Sequence, residues 1–389
     1  MGRRFVGDLR RHPGFLVKWL AVPALAAAAY YLLALIAALR WRQWRKRQAS
    51  VTAAGREPAV SILKPVHGRD PRFYQAIRSH AEQDYSEFEI LFGVSDPRDA
   101  ALTDIERLQR EFPAIPMRVV AVSTDVPNTK AGVLAELSRQ ARHPLLLVND
   151  SDIVVERGYL RAVAAPLEDP KVGLVTCLYR AGADSWPAQW EALGIATEFA
   201  PSVLVARLLG MRGFALGSTM AFRAATLREA GGFEAIAGFL ADDYQLGRNI
   251  SQLGYGIVFA PAVVETNLGS VGWSQVWRHQ LRWSRTIRVS RRSGYYGYLT
   301  THAVFWSLVA FAARLWWVGG AALAVRILAA LAVGAGVLRD RKVWRLCWLI
   351  PARDLFGFAV WLGGIFGTSV DWRGEKLRLY ADGRISRQA

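Results

Sequence analysis

Twenty-one consecutive residues, Trp19 to Leu39, carry no charge. At 1.5 Å per residue a helix of that length is roughly 30 Å long, the thickness of a bilayer core. Whatever else it builds, the chain has to accommodate a membrane near its start. A cleaved signal peptide also contains small-residue runs such as Ala26–Ala29, but its apolar core is shorter, about 7–15 residues. Five cations follow at once (Arg40, Arg42, Arg45, Lys46 and Arg47) and favour a cytoplasmic C-terminal end for this span. The preceding flank is nearly as basic, with Arg3, Arg4, Arg10, Arg11 and Lys18, so charge alone leaves the orientation open.

A second apolar region runs through residues 299–370, interrupted by Arg314, Arg326, the cluster from Arg339 to Arg345, and the pair Arg353–Asp354. It has room for about three spans. An arginine at mid-bilayer costs roughly 2.5–3.5 kcal/mol, so Arg314 and Arg326 are expected to face other helices, a polar cavity or headgroups. The remainder is not a membrane bundle, because 21% of the 389 residues are charged. Two cysteines, Cys177 and Cys347, make neither a disulfide framework nor a cysteine-rich metal site. A net charge of +17 suits nucleic acid or an anionic membrane surface equally well, and the membrane segments favour the surface.

The sequence divides into an anchor (1–48), a linker over 48–57, an α/β domain (59–270), an amphipathic aromatic and basic stretch (271–298), the apolar region (299–370) and a basic, aromatic tail (371–389) set to lie on the membrane surface. In the α/β domain, β-rich runs at 60–63, 88–94, 118–122, 145–148 and 172–178 alternate with helical runs at 73–82, 101–112, 130–142 and 159–167. That order predicts a mostly parallel, Rossmann-like sheet with helices on both faces. Ligands bind such sheets beyond the C-terminal ends of the strands, so the loops there are the places to search.

Five places carry chemistry, most of them in such loops. Asn149-Asp150-Ser151-Asp152 follows a strand, and two carboxylates one residue apart can hold a hard divalent ion. Acids of a turn or a helix cap would look the same. Asp96 follows another strand and can accept from a nucleobase or ribose, or simply make a turn before Pro97. Lys130 opens a helix where its charge and the helix dipole can meet a phosphate, although a solvated lysine also fits. Asp242-Asp243 opens a further helix; helix N-termini favour acids, and a carboxylate near a bound sugar can act as general base. His279-Gln280-Leu281-Arg282-Trp283 lies in the amphipathic stretch, where an interfacial helix accounts for its tryptophans and arginines and Arg282 can also face a departing diphosphate.

Taken in order, Val60-Ser61-Ile62-Leu63-Lys64-Pro65, Asp96, Asp150-Ser151-Asp152, Asp242-Asp243 and Arg282-Trp283 resemble the membrane-bound inverting GT-A glycosyltransferases of families 2 and 21. The pattern is similar to ceramide glucosyltransferases and to the hopanoid-biosynthesis-associated glycosyltransferases, the latter being nearest. The resemblance implies a GT-A fold flanked by transmembrane helices and Mg2+ or Mn2+ on Asp152 with Asp150. It implies nucleotide and diphosphate contacts from Lys64, Pro65, Asp96, Lys130, Asp150 and His279. It further implies catalysis by Asp243 as base with Asp242, Arg282 and Trp283. His279 stands where the family's motif begins with Gln or Arg, which leaves its phosphate role open. The partners so implied are a UDP-sugar donor and a membrane-lipid acceptor, with no nucleic acid. N-acetylglucosamine and a hopanoid are expected first, and UDP-glucose and ceramide are the alternative. The implied setting is a bacterial inner membrane with the α/β domain cytoplasmic. The apolar stretch Trp186–Leu209 falls where the family builds its acceptor side, and a buried core helix would read alike. A processive polysaccharide synthase would call for Gln in place of His279 and for a channel. A basic membrane adaptor without catalysis would leave the ordered acids unexplained.

Overall fold

The computed structural model describes residues 19–51, 57–372 and 374–388. The basic flank before Trp19 and most of the linker at 52–56 lie outside the described residues. The helices are α1 (Ala21–Val51), α2 (Phe73–Ala81), α3 (Ala101–Glu111), α4 (Thr129–Gln140), α5 (Tyr159–Ala164), α6 (Trp186–Gly194), α7 (Ala200–Leu208), α8 (Ala224–Glu229), α9 (Asp242–Gln252), α10 (Trp273–Ser290), α11 (Arg292–Gly297), α12 (Ala303–Ala312), α13 (Trp316–Ala330), α14 (Lys342–Leu346) and α15 (Ile350–Ile365). The strands are β1 (Val60–Val66), β2 (Phe88–Val94), β3 (Met117–Ala121), β4 (Leu145–Val148), β5 (Val172–Gly182), β6 (Met220–Arg223), β7 (Gly256–Asn267), β8 (Ser369–Trp372), β9 (Glu375–Leu379) and β10 (Ile385–Arg387).

Two compact units share the chain. The larger, built among the described residues from 43–51, 57–192, 210–290, 367–372 and 374–388, holds a seven-stranded sheet in the order β3-β2-β1-β4-β6-β5-β7. Strands β3, β2, β1 and β4 are parallel, and β6 alone runs against its neighbours β4 and β5. The layers follow from the two-residue period of a strand. Val60 and Ile62 of β1, Ile90 and Phe92 of β2, and Leu145 and Leu147 of β4 pack with Ile77 of α2, Ile105 of α3 and Leu160 of α5. The intervening Leu63, Leu91, Leu146 and Val148 pack with Leu134 of α4 and Leu246 and Ile250 of α9. Both faces of the sheet are thus covered, as a parallel sheet requires.

The strands before residue 149 fall within a few residues of the sequence reading. Two features do not follow from it. Strand β6 is only four residues long and antiparallel, and residues 369–387, which take in most of the basic tail expected over 371–389, form a three-stranded antiparallel sheet. Its core consists of Val370, Leu377, Leu379 and Ile385 packed on Leu240, with Val289 alongside. Those apolar partners are more than 80 residues distant in sequence, so no local pattern announces them.

Of the described residues, the smaller unit gathers 19–42, 193–209 and 291–366. Among the described residues, three helical stretches are long and apolar enough to cross a membrane: Ala21–Gln48, Trp316–Val337 and Lys342–Ile365; α12 is apolar but shorter. At ten residues α12 spans roughly 15 Å. Arg314 ends it in the left-handed region (φ 60) and is exposed at the turn into α13. Arg326 is fully buried, its guanidinium donating to both carboxylate oxygens of Asp354 at 2.6–3.1 Å, and it lies 4.7 Å from the ring of Tyr31. Here an expected intramembrane arginine faces a helix that carries its counter-charge.

Candidate active site

The β4 strand is followed by Asn149, which is buried and turns the chain by donating to the Ser218 carbonyl (2.7 Å) and the Tyr159 hydroxyl (2.8 Å). This anchor sets the next three residues beyond the C-terminal edge of the sheet. Lys64, fully buried in β1, donates to the Asp150 carbonyl at 3.0 Å, and Ser151 donates to Asp70. Burial lowers the Lys64 ammonium to about 7, against the pull of Asp152 and Asp150. Lys64 therefore meets the loop through its backbone, from beneath. Pro65 lies beside Gly93 of β2, past Leu63, the last residue that β1 pairs with β4.

The two carboxylates of the loop sit differently. Asp152 accepts from the Thr266 hydroxyl and from the Asn267 N–H at 3.1 Å, both at the end of β7. Burial raises its carboxyl, and the charge of Asp150 adds to the effect. Asp150 keeps 41% of its side chain exposed, and its Oδ1 meets Lys130 Nζ at 2.7 Å. Lys130 is placed by the start of α4, where the Asn128 side chain accepts from the Ala131 N–H as a helix cap. The same ammonium lies 3.4 Å from Asp242 Oδ2, a buried atom that accepts no hydrogen bond.

Asp243, the next residue, accepts from the Gly217 N–H (2.8 Å) and from its neighbour Tyr244 N–H (2.7 Å). A Cβ at Gly217 would stand 3.3 Å from Asp243 Oδ2, so this close approach is fitted to glycine. Burial lifts the Asp243 carboxyl to about 6; Asp242 adds to this and Lys130 opposes it. Asp96 is exposed beyond β2, accepting the Arg98 N–H at 2.8 Å while its carbonyl accepts from Asp99. It makes the turn that the sequence allows, at the same sheet edge as the Asp150 loop.

On α10 the His279 ring stacks obliquely on Trp283, with centroids 4.6 Å apart, and Nδ1 donates to Glu191 of α6. Arg282 and Trp283 are half-buried on the same helix. The structure thus joins Lys64, Lys130, Asp150 and Asp242 by direct contact, with Asp152 two residues beyond Asp150 and Asp243 next to Asp242, and keeps Asp96 in its own turn. Glu191, Asp70, Thr266 and Gly217 escape a sequence reading. The signal at Glu191 is a single acid inside the apolar run that forms α6; the others have none.

Among the described residues no three His, Cys, Asp or Glu side chains come together as a protein-only metal cage. Asp150 and Asp152 are hard oxygen donors one residue apart, with the Asp150 carboxylate half open, and this suits Mg2+ or Mn2+ completed by phosphate and water. The residues present fit such an ion.

A family model described as glycosyl transferase family 21 matches residues 19–385. The chain belongs to this family. Ceramide glucosyltransferases 3 and 1 of Caenorhabditis elegans are each 28% identical to this family 21 chain, over 232 and 200 residues. Those matches cover 58% and 51% of it and 50% and 43% of the worm proteins. The chain spans about half the length of the curated relatives it matches or less. Among solved structures, the mannosyltransferase PcManGT from Pyrobaculum calidifontis, in complex with GDP-Man and Mn2+, superposes with a TM-score of 0.54 at 19% identity. That match covers 89% of this chain and 97% of the other, and it shows a shared GT-A fold.

Proposed function

We propose that the chain transfers glucose from UDP-glucose to the hydroxyl of a ceramide-type membrane lipid, with inversion at the anomeric carbon. The observation that carries this reading is the meeting of the Asp150-Ser151-Asp152 loop with the Asp242-Asp243 pair at Lys130. In this reading Asp243 is the general base. Each of its oxygens accepts one backbone N–H and keeps a lone pair for a substrate proton. The acceptor hydroxyl attacks the anomeric carbon as the bond to the diphosphate breaks; the proton passes to Asp243 and UDP departs, so an α-linked donor gives a β-linked product. Asp150 and Asp152 would hold Mg2+ or Mn2+, which when bound neutralises charge on the diphosphate. Arg282 serves the same charge from α10, and Asp96 meets the nucleoside at the end of β2.

Three membrane-length helices support an acceptor drawn from the bilayer, and the names of the relatives favour ceramide and UDP-glucose over the hopanoid and N-acetylglucosamine pair expected first from the motifs. Nucleotide sugars are cytosolic, so the catalytic unit belongs on the cytoplasmic side. A single cysteine at Glu57 or at Arg341, in a chain without its native cysteines, should resist labelling from outside sealed cells.

The direct test incubates the full chain, in lipid nanodiscs with Mn2+, with UDP-glucose and ceramide, and reads the product by mass spectrometry. Glucosylceramide is expected. A glycosylated triterpenoid made only from UDP-N-acetylglucosamine would replace this substrate pair with the other. No transfer from any UDP-sugar to any membrane lipid would remove the reading altogether.

A further inference from the structure

Glu191 is 2% exposed, an unusual setting for a carboxylate in an apolar helix. A buried carboxylate is costly unless donors surround it, and here α10 supplies two. His279 donates from Nδ1, and Gln280 Nε2 donates to Glu191 Oε1 at 3.0 Å. A second contact fixes the same pair of helices: the rings of Trp190 on α6 and Trp273 on α10 meet edge to face at 5.8 Å. The ring of His279 is therefore held on one side by Glu191 and on the other by Trp283. With Nδ1 committed to the carboxylate, Nε2 is the ring atom left to meet a ligand.

The pair also stands close to the acid cluster. The Tyr179 phenol of β5 is raised first by burial and then by the charges of Asp243, Glu191, Asp150 and Asp152. The backbone places them together as well: Asp152 accepts from the Asn267 N–H, Asn267 is the register partner of Gly182 at the end of β5, and α6 and α10 begin four and six residues beyond those two strand ends.

We propose that Glu191 is a positioning residue that acts through His279, holding Nδ1–H so that Nε2–H is presented to the diphosphate of the donor. This rests on the transfer reading above. A glutamine or arginine at position 279 would bring its own N–H to phosphate, whereas a histidine needs a partner that fixes which nitrogen faces the ligand and that balances the charge of the ring. The buried carboxylate on α6 does both, and a charge-assisted bond of this kind is roughly twice as strong as a neutral one. Glu191 itself touches no substrate.

The test is a double-mutant cycle on UDP affinity, measured calorimetrically on the detergent-solubilised full chain with Mn2+ present, alongside thermal unfolding. Glu191→Ala and His279→Ala are each expected to weaken UDP about tenfold, and the double variant to bind no more weakly than His279→Ala alone. Against His279→Gln, whose amide can donate unaided, Glu191→Ala should cost less than twofold. Glu191→Gln keeps volume and an acceptor oxygen, so it is expected to fold and to lose about threefold, and it carries the same cycle if the alanine variant does not fold. A penalty for either Glu191 variant that is undiminished in the His279→Ala background would overturn the proposal, as would a lowered unfolding temperature with unchanged UDP affinity. Failure of the unaltered chain to bind UDP would overturn the nucleotide-sugar reading as well.

Discussion

Lys130 Nζ stands 2.7 Å from Asp150 Oδ1, so a cation at the start of one helix is paired with the loop that ends a neighbouring strand. The same ammonium faces Asp242 at 3.4 Å, and its own proton is held more tightly by those charges although burial acts the other way. Lys130→Met therefore leaves Asp242 buried without its counter-charge. The variant is expected to lose roughly 1.5–3 kcal/mol of stability, the scale of a hydrogen bond to a charged group. Mn2+ should restore part of the loss, stabilising the variant more than the parent. Equal stabilisation of both by Mn2+ in thermal unfolding would argue against a shared acidic site.

Asp243 should impose an acid limb on turnover. With its carboxyl at about 6, the proposed base is ionised above that value, and the transfer rate is expected to fall as pH drops through it. Burial is the first cause of the elevation and the charge of Asp242 the second, so Asp242→Asn should move the limb to lower pH. Asp243→Asn should cut transfer at least a thousandfold while UDP affinity stays within about tenfold. Rates against pH under saturating donor decide the first point, and calorimetry the second.

Asp152 predicts the opposite pattern. Its side chain ties the loop to Thr266 and Asn267, and in the proposed reading it also offers an oxygen to the metal. Asp152→Ala is expected to abolish the Mn2+ dependence of UDP binding together with turnover. A variant that still turned over in a metal-dependent way would remove Asp152 from the site.

The C-terminal sheet should matter for catalysis although it carries none of the acids. The Ile385 N–H donates to the Gly238 carbonyl at 2.8 Å, Phe239 pairs with Arg384, and Arg285 of α10 donates to the Ser369 carbonyl at 2.7 Å. The sheet thus holds both the segment leading into Asp242-Asp243 and the helix of the Arg282-Trp283 motif. Ile385→Pro removes the N–H, and turnover is expected to fall roughly tenfold to hundredfold, the scale on which small misplacements act. Membrane extraction and UDP binding serve as controls for folding.

In the smaller unit, Arg326→Met leaves Asp354 buried and unpaired, at a cost of about 3–5 kcal/mol. Arg326→Met combined with Asp354→Leu should recover most of that stability, because no charge is then left uncompensated. Thermal unfolding in detergent of the three proteins reads the difference.

Much of this was written locally. An uncharged run of 21 residues is long enough for a bilayer wherever it packs, and the period-two alternation in Leu145–Val148 separates two faces of a sheet without knowledge of what covers them. Acids directly after strands fell at the C-terminal edge because parallel strands all end there. The order of Asp96, Asp150-Ser151-Asp152, Asp242-Asp243 and Arg282-Trp283 carried the family.

Tertiary structure decided the pairings between charges. Lys130 and Asp242 are 112 positions apart, Glu191 and His279 are 88, and Arg326 and Asp354 lie on different helices. A carboxylate and a cation show their types in sequence but not their distance. Whether an acid is a solvated cap, a ligand or the anchor of a histidine depends on how deeply it is buried and which donor reaches it. Both are set only when segments remote in the chain close over it and exclude water.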